Sequence, residues 1–312
     1  MKLAIAQIAP VWLDRERTLE KVTDRIAEAG RAEARLVVFG ESLVPGYPVW
    51  LDRADGARFE NEELKEAHAR FAEQAVAVTE HLNPVRDAAR RAGVAVILGV
   101  TERAPDRGGH SLYCSKVLID DEGRIPEHAV HRKLVPTYEE RLVWGHGDGA
   151  GLCTFEIDGV RTGALNCWEN WIPLNRAALH AQGEDLHVML WPGAARLTQD
   201  ITRFVAIEGR QFVASASGLL RGRDIPAGAP LRDRIVRGED EWIYNGGSAA
   251  AGPGGRWLLE PVRGEEGLFF VDIDLHEVRR ERQSFDYSGH YGRPDVLQLT
   301  VQRDRQGVRF RP

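Results

Sequence analysis

Apolar residues recur along the chain with two periods, and the switching between them outlines interleaved strands and helices. Residues 3–8 form a short, almost continuous apolar run suited to a buried strand. Over 14–34 the period changes: Leu19, Val22, Ile26 and Ala29 follow at steps of three and four, the spacing of one helix face, and Asp14 supplies an N-cap. Residues 36–39 are a second buried-strand run ending at Gly40-Glu41, and Pro45-Gly46-Tyr47-Pro48 after it reads as a loop. A long helical stretch over 60–92 is expected to break near Asn83-Pro84, ahead of a strand over 94–100.

The middle of the chain is richer in strands. Segments 111–120 and 126–133 flank a turn over 120–123, and segments 152–157 and 160–166 flank Asp158-Gly159, a short hairpin signal. Pro173 suits the first turn of a helix reaching residue 182. A strand over 186–190, a helix over 199–209 and strands over 212–217, 247–251, 256–259 and 267–273 complete the pattern. Because βαβ-like units and hairpins are mixed, the expected class is α/β, with mixed sheets covered by helices. Strands apolar throughout suit two sheets packed face to face. No repeat or linker divides the chain, so one domain is expected over 1–273, with a C-terminal extension over 274–312 that would contact another copy.

Composition narrows the function classes. The chain has 312 residues, 43% hydrophobic and 28% charged, with a formal net charge of −6. Its 41 Lys+Arg and 47 Asp+Glu are interspersed, which argues against nucleic acid or an anionic membrane as a partner. No apolar run approaches the roughly 18 residues of a membrane span, and the start lacks the basic region and cleavage site of a signal peptide. The three cysteines (Cys114, Cys153 and Cys167) form no CxxC and suit a reduced, cytoplasmic protein with free thiols.

Three expected strand ends each deliver a reactive group: Glu41 after 36–39, Lys133 at the end of 126–133, and Cys167 after 160–166. A thiol needs a base to become a nucleophile, and an ammonium stabilises the anion formed on attack at an electrophilic carbon. Taken singly, such residues are more often a buried packing cysteine and solvated charges. No HExxH or Cys/His zinc spacing is present, so neither metal nor other cofactor is expected. The glycine-rich segment 145–151 misses the GxGxxG spacing and precedes a strand, so it reads as a flexible loop near the site rather than a nucleotide cradle.

The words around these residues carry more. Phe39-Gly40-Glu41-Ser42, His131-Arg132-Lys133-Leu134-Val135-Pro136-Thr137 with Glu140-Arg141, and Leu165-Asn166-Cys167-Trp168-Glu169-Asn170 occur in that order. Trp191-Pro192, Ala206-Ile207-Glu208-Gly209-Arg210, Gly246-Gly247-Ser248 and Ser288-Gly289-His290-Tyr291-Gly292-Arg293-Pro294-Asp295 come after them. Over nearly its whole length the chain resembles the nitrilase branch of the carbon–nitrogen hydrolase superfamily. The resemblance implies a four-layer α-β-β-α sandwich, paired into a homodimer or a higher homo-oligomer that extends into spirals. It implies Glu41 as general base, Lys133 as stabiliser of the anionic tetrahedral species, Cys167 as nucleophile and Glu140 as the group orienting Lys133. The Trp168 N–H would add to the anion site, and Tyr47, Asn170 and Trp191 are pocket candidates. One departure is Gly40, where the family usually has Pro. The implied reaction is hydrolysis of an organic nitrile to a carboxylic acid and ammonia. The nearby aromatics Tyr47, Trp50, Trp144, Trp168 and Trp171, with Asn170, lean toward an aromatic or arylaliphatic substrate. The alternatives are a cyanide hydratase or dihydratase, an aliphatic amidase or carbamoyl-amidase, and an inactive scaffold on the same fold.

Overall fold

The computed structural model describes residues 1–306. The chain runs β1 (Lys2–Gln7), α1 (Arg15–Arg31), β2 (Leu36–Phe39), α2 (Trp50–Arg53), α3 (Glu62–Gln74), α4 (Val78–His81), α5 (Asn83–Ala92), β3 (Ala95–Arg103), β4 (Leu112–Ile119) and β5 (Val130–Arg132). It continues with β6 (Phe155–Ile157), β7 (Val160–Asn166), α6 (Pro173–His180), β8 (Leu186–Trp191), α7 (Ile201–Gly209), β9 (Phe212–Ser217) and β10 (Leu219–Arg221). The last elements are α8 (Arg232–Ile235), β11 (Trp242–Ala251), β12 (Trp257–Arg263), β13 (Gly267–Asp272) and α9 (Leu275–Arg282).

Two mixed sheets result. One has the order β13-β1-β2-β3-β4-β5; the other has the order β10-β11-β9-β8-β7-β6, with β12 also paired to β11. Each holds three parallel strands, β1-β2-β3 in the first and β7-β8-β9 in the second, flanked by antiparallel neighbours. Alternate residues of single strands enter different cores, which explains runs apolar throughout. Leu36 and Val38 pack between the sheets with Val188 and Leu190. Val37 and Phe39 pack outward with Leu19, Val22 and Ile26 of α1 and Val85 and Ala89 of α5. On the far side Met189 and Trp191 meet Ile201, Val205 and Ala206 of α7. The layers are therefore α-β-β-α, as the resemblance implied.

Several boundaries differ from the sequence expectation, for local reasons. The stretch over 60–92 breaks beside Asn83-Pro84 as expected and once more before that, where Val76 leaves the helix to pair with Glu102 of β3. The strand expected over 126–133 shrinks to β5, since Pro126 lacks an N–H and His128 sits at φ +65°. The loop over 45–48 runs into the short helix α2, and β10 has no counterpart in the expected pattern. In the segment from 274 onward, α9 places Val278 in the core between the sheets; residues 307–312 of that segment lie outside the described ones. No helix among the described residues is long and apolar enough to cross a membrane.

The end of β2 crosses β3 at very short range. A Cβ on Gly99 of β3 would lie 2.1 Å from the carbonyl oxygen of Gly40 and 2.7 Å from Cα of Glu41. Only glycine permits so tight a crossing. Gly99→Ala is expected to lower stability by about 1–3 kcal/mol, the usual cost of overpacking, and to reduce turnover by displacing Glu41. Urea denaturation beside a rate assay checks both effects.

Candidate active site

The site lies where β2 and β7, one from each sheet, end beside the loops after β5. Glu41 follows β2, and its N–H donates to the Trp191 carbonyl at the end of β8 (3.1 Å). A Cβ at position 40 would stand 2.8 Å from that same carbonyl oxygen and 3.0 Å from Gly218 N, so glycine here lets the two sheets' strand ends meet. Lys133 follows β5, and its N–H donates to the Cys114 carbonyl of β4 (2.8 Å). Glu140 lies on a single 3-10 turn, Tyr138–Leu142, whose capping residue Thr137 donates its N–H to Glu140 Oε2 (2.6 Å). Cys167 opens the turn Cys167–Trp171 at φ +47°. That left-handed conformation costs a non-glycine residue about 1–3 kcal/mol unless its surroundings enforce it.

These groups converge. Lys133 Nζ donates to Glu41 Oε1 at 2.9 Å and to Glu140 Oε2 at 2.7 Å. The Tyr47 hydroxyl donates to Glu140 Oε1 at 2.7 Å, and the Cys114 thiol to Glu41 Oε1 at 3.3 Å. Cys167 Sγ, a Glu41 oxygen and a Glu140 oxygen all lie within 4.8 Å of one another. Glu41 Oε2 is buried with no partner among the described residues, which leaves it free to take a proton. Such a trio of donor atoms resembles a metal cage, but the Lys133 ammonium already bonds to two of its three members.

Burial governs the electrostatics. Glu41, Lys133, Glu140 and Cys167 are all buried, so two carboxylates share one ammonium in a dry pocket. Burial, reinforced by Glu140 and opposed by Lys133, pushes the Glu41 carboxyl up to about 7. Burial works against the Lys133 ammonium, yet Glu41, Cys167 and Glu140 hold it well above its ordinary range. Burial and the Glu41 charge push the Cys167 thiol up, against the pull of Lys133 and the Trp168 N–H. At rest the sulfur therefore keeps its proton, and the Glu41 carboxyl beside it is a group that can accept that proton.

Neighbouring groups brace this arrangement. Fully buried Glu169 accepts from the N–H of Leu134 (2.8 Å) and of Asn166 (3.2 Å), and His131 Nε2 lies 3.1 Å from it. It thus ties the Lys133 loop to the Cys167 turn. The sequence motifs contain His131 and Glu169 but assign them no role, because nothing in the residue order shows that the two meet. The glycine-rich segment is pinned rather than free. Gly147 donates its N–H to the Lys133 carbonyl (2.9 Å), and a Cβ there would lie 2.1 Å from the Arg132 carbonyl oxygen.

A cavity of about 330 Å³ opens onto Cys167, lined by Tyr47, Leu51, Asp52, Thr137, Tyr138, Glu139, Glu140, Trp168, Pro192, Arg196, Leu197 and Tyr244. Of the four pocket candidates, Tyr47 and Trp168 line this cavity. Asn170 and Trp191 do not. Asn170 is buried beneath the turn, where its Nδ2 donates to the Cys167 carbonyl (2.8 Å). Trp191 is buried against α7, its indole N–H donating to Ser215 Oγ (3.3 Å). Trp50 and Trp144 belong to a separate core, and Trp171 stacks on Phe204 away from the site. Tyr244, Arg196 and Asp52 escaped sequence reasoning because their segments carry no chemical word; only tertiary packing brings them to Cys167.

The sequence model of the carbon-nitrogen hydrolase family matches residues 2–283. The chain belongs to this family. An aliphatic nitrilase of Rhodococcus rhodochrous is 35% identical over 96% of this chain and 81% of its own length. An aliphatic nitrilase of Sinorhizobium fredii is 34% identical over 97% of this chain and 96% of its own. Among solved structures, an amidase from Nesterenkonia sp. AN1 carrying acrylamide at its active-site cysteine superposes with a TM-score of 0.65 at 21% identity. That match covers 91% of this chain and 97% of the amidase, and bears on the fold. The carbon–nitrogen hydrolase described here is thus an α-β-β-α hydrolase acting on carbon–nitrogen bonds.

The coupling of thiol and carboxyl is testable without any substrate. Iodoacetamide alkylation of Cys167, read by peptide mass spectrometry, should rise with pH through a midpoint near 7, because Glu41 below that value is protonated and cannot accept the thiol proton. Glu41→Gln should remove this rise. Cys114→Ala, which takes a hydrogen bond from the ionised carboxylate, should move the midpoint upward.

Proposed function

We propose that this carbon–nitrogen hydrolase is a nitrilase, with Cys167, Glu41, Lys133 and Glu140 as its working groups. The observation that carries the reading is the buried thiol beside a carboxyl raised to about 7 and an ammonium held between two carboxylates. The nitrilase relatives, alike over nearly the whole chain, support the choice of substrate.

In this reading Glu41 takes the Cys167 proton as sulfur attacks the nitrile carbon, then passes it to nitrogen, giving a thioimidate. Water activated by Glu41 adds to that carbon, ammonia leaves, and a thioester remains. A second water, again deprotonated at Glu41, releases the carboxylic acid and restores the thiol. One nitrile and two waters thus become one acid and one ammonia. Lys133 and the Trp168 N–H stabilise the charge that develops at each tetrahedral stage. Glu140, held by Tyr47 and Thr137, keeps Lys133 in place. The aromatic and aliphatic lining of the cavity, with Asp52, Glu139 and Arg196 on its wall, accommodates a small organic nitrile.

Two further parts of the reading concern the whole molecule. Free buried thiols suit the cytoplasm. Trp171, Ile172, Leu174, Phe204 and Ile207, exposed on and beside α6 and α7, suit pairing with a second copy. Light scattering should report a dimer or larger assembly that Leu174→Glu shifts toward monomer.

Ammonia release from aromatic, arylaliphatic and aliphatic nitriles, free cyanide and the matching amides tests the chemistry. Organic nitriles should be turned over and Cys167→Ala should abolish that turnover. Hydrolysis of amides alone, or of cyanide alone, would reassign the substrate. Lys133→Ala should lower kcat by about 10²-fold or more with a smaller change in KM, since it acts on transition-state charge.

A further inference from the structure

Asn170 is the one sequence-selected pocket candidate with every side-chain polar atom already engaged beneath the nucleophile. Its Nδ2 faces two carbonyls, of Cys167 at 2.8 Å and of Leu165 at 3.3 Å, and carbonyls only accept. The network therefore sets the amide orientation, and Oδ1 must accept from its own neighbour. That neighbour is His187 Nε2, at 2.8 Å. On the other side of the ring, His187 Nδ1 lies 2.9 Å from Glu184 Oε1. Glu184 and His187 are fully buried, and Gln211 Nε2 donates to the second Glu184 oxygen at 3.2 Å. Space for the carboxylate comes from Gly163 of β7, where a Cβ would stand 2.1 Å from Glu184 Oε1. From the opposite direction Arg176, itself paired with Glu208, donates to the Asn170 carbonyl at 2.7 Å.

The chain Glu184–His187–Asn170 ends on the carbonyl of Cys167. That carbonyl and the N–H of Trp168 belong to one planar peptide unit, so fixing the oxygen fixes the direction of the N–H. The same N–H lies against the Cys167 sulfur, where charge develops. The backbone at Cys167 is left-handed and would relax without such a grip.

We propose that Glu184, His187 and Asn170 are positioning residues: a buried hydrogen-bonded relay that holds the Cys167–Trp168 peptide so that the Trp168 N–H points at the developing anion. None of the three touches substrate. The proposal rests on the reading of Cys167 as nucleophile and of the Trp168 N–H as an anion donor. It predicts that breaking the relay harms the chemical step and spares substrate binding.

The test uses the full chain and the organic nitrile that it turns over fastest. His187→Leu leaves Asn170 Oδ1 buried without a donor, and Asn170→Ala removes the grip itself. Each should lower kcat by about 10- to 100-fold, part of the 10²–10³-fold cost of deleting an anion-site donor, with KM within about twofold. Glu184→Gln can keep every bond, its amide donating to Nδ1 of a neutral His187 whose Nε2–H still donates to Asn170. It should retain kcat within about threefold, and it remains informative if the other two variants fold poorly. Parental kcat in folded His187→Leu and Asn170→Ala would overturn the relay, as would losses appearing in KM rather than kcat. A Glu184→Gln defect as deep as that of His187→Leu would overturn orientation as its means of action. Turnover surviving in Cys167→Ala would instead sink the reading of the site itself, so the two failures are distinct.

Discussion

The Lys133 ammonium, fully buried and shared between Glu41 and Glu140, is the interaction on which the rest of the site depends. Two carboxylates this close cannot both stay ionised in a dry pocket without a cation between them. Glu140 is paired with Lys133 and also held by Tyr47 and Thr137, while one Glu41 oxygen has no partner among the described residues. Burial, reinforced by Glu140 and opposed by Lys133, raises the Glu41 carboxyl to about 7, where it can both accept and return a proton near neutrality. The thiol beside it needs no lowered acidity of its own, because its proton has somewhere to go.

Such a cluster demands a rigid frame, and the double sheet provides one. Glu41 and Cys167 sit at ends of parallel strands from different sheets, and the core between those sheets sets their separation. The contacts that join the halves at the site are backbone contacts: Glu41 N–H on the Trp191 carbonyl, and the close approach of Gly40 to that carbonyl and to Gly218 N. Glu169 makes the corresponding link between the Lys133 loop and the Cys167 turn. The turn itself carries local strain at Cys167, with Asn170 beneath it and Glu169 beside it holding that conformation.

Much of this was legible along the chain. The two apolar periods located most strands and the amphipathic helix α1, because each strand's alternate residues enter two cores and the helix buries one face. Glu41, Lys133 and Cys167 stood out as reactive groups at expected strand ends, and Glu140 through the resemblance carried by the words around them. Boundaries failed where a tertiary contact overruled local pattern, as when Val76 left its helix to pair with β3. Residue type alone did not tell pocket from frame: Asn170 and Trp191 look like pocket residues, yet both spend their polar groups on the frame.

What the sequence by itself determined was the layered α/β class, the reactive residue types and the family, since periodicity and short words are properties of local chain order. Tertiary structure alone decided which groups meet. The raised Glu41 carboxyl, the cavity wall of Tyr244, Arg196 and Asp52, and the path from Glu184 through His187 to Cys167 all depend on distances between segments far apart in the chain. Burial and hydrogen-bond geometry have no expression in residue order, and they gather a thiol, a carboxylate and an ammonium into one buried cluster.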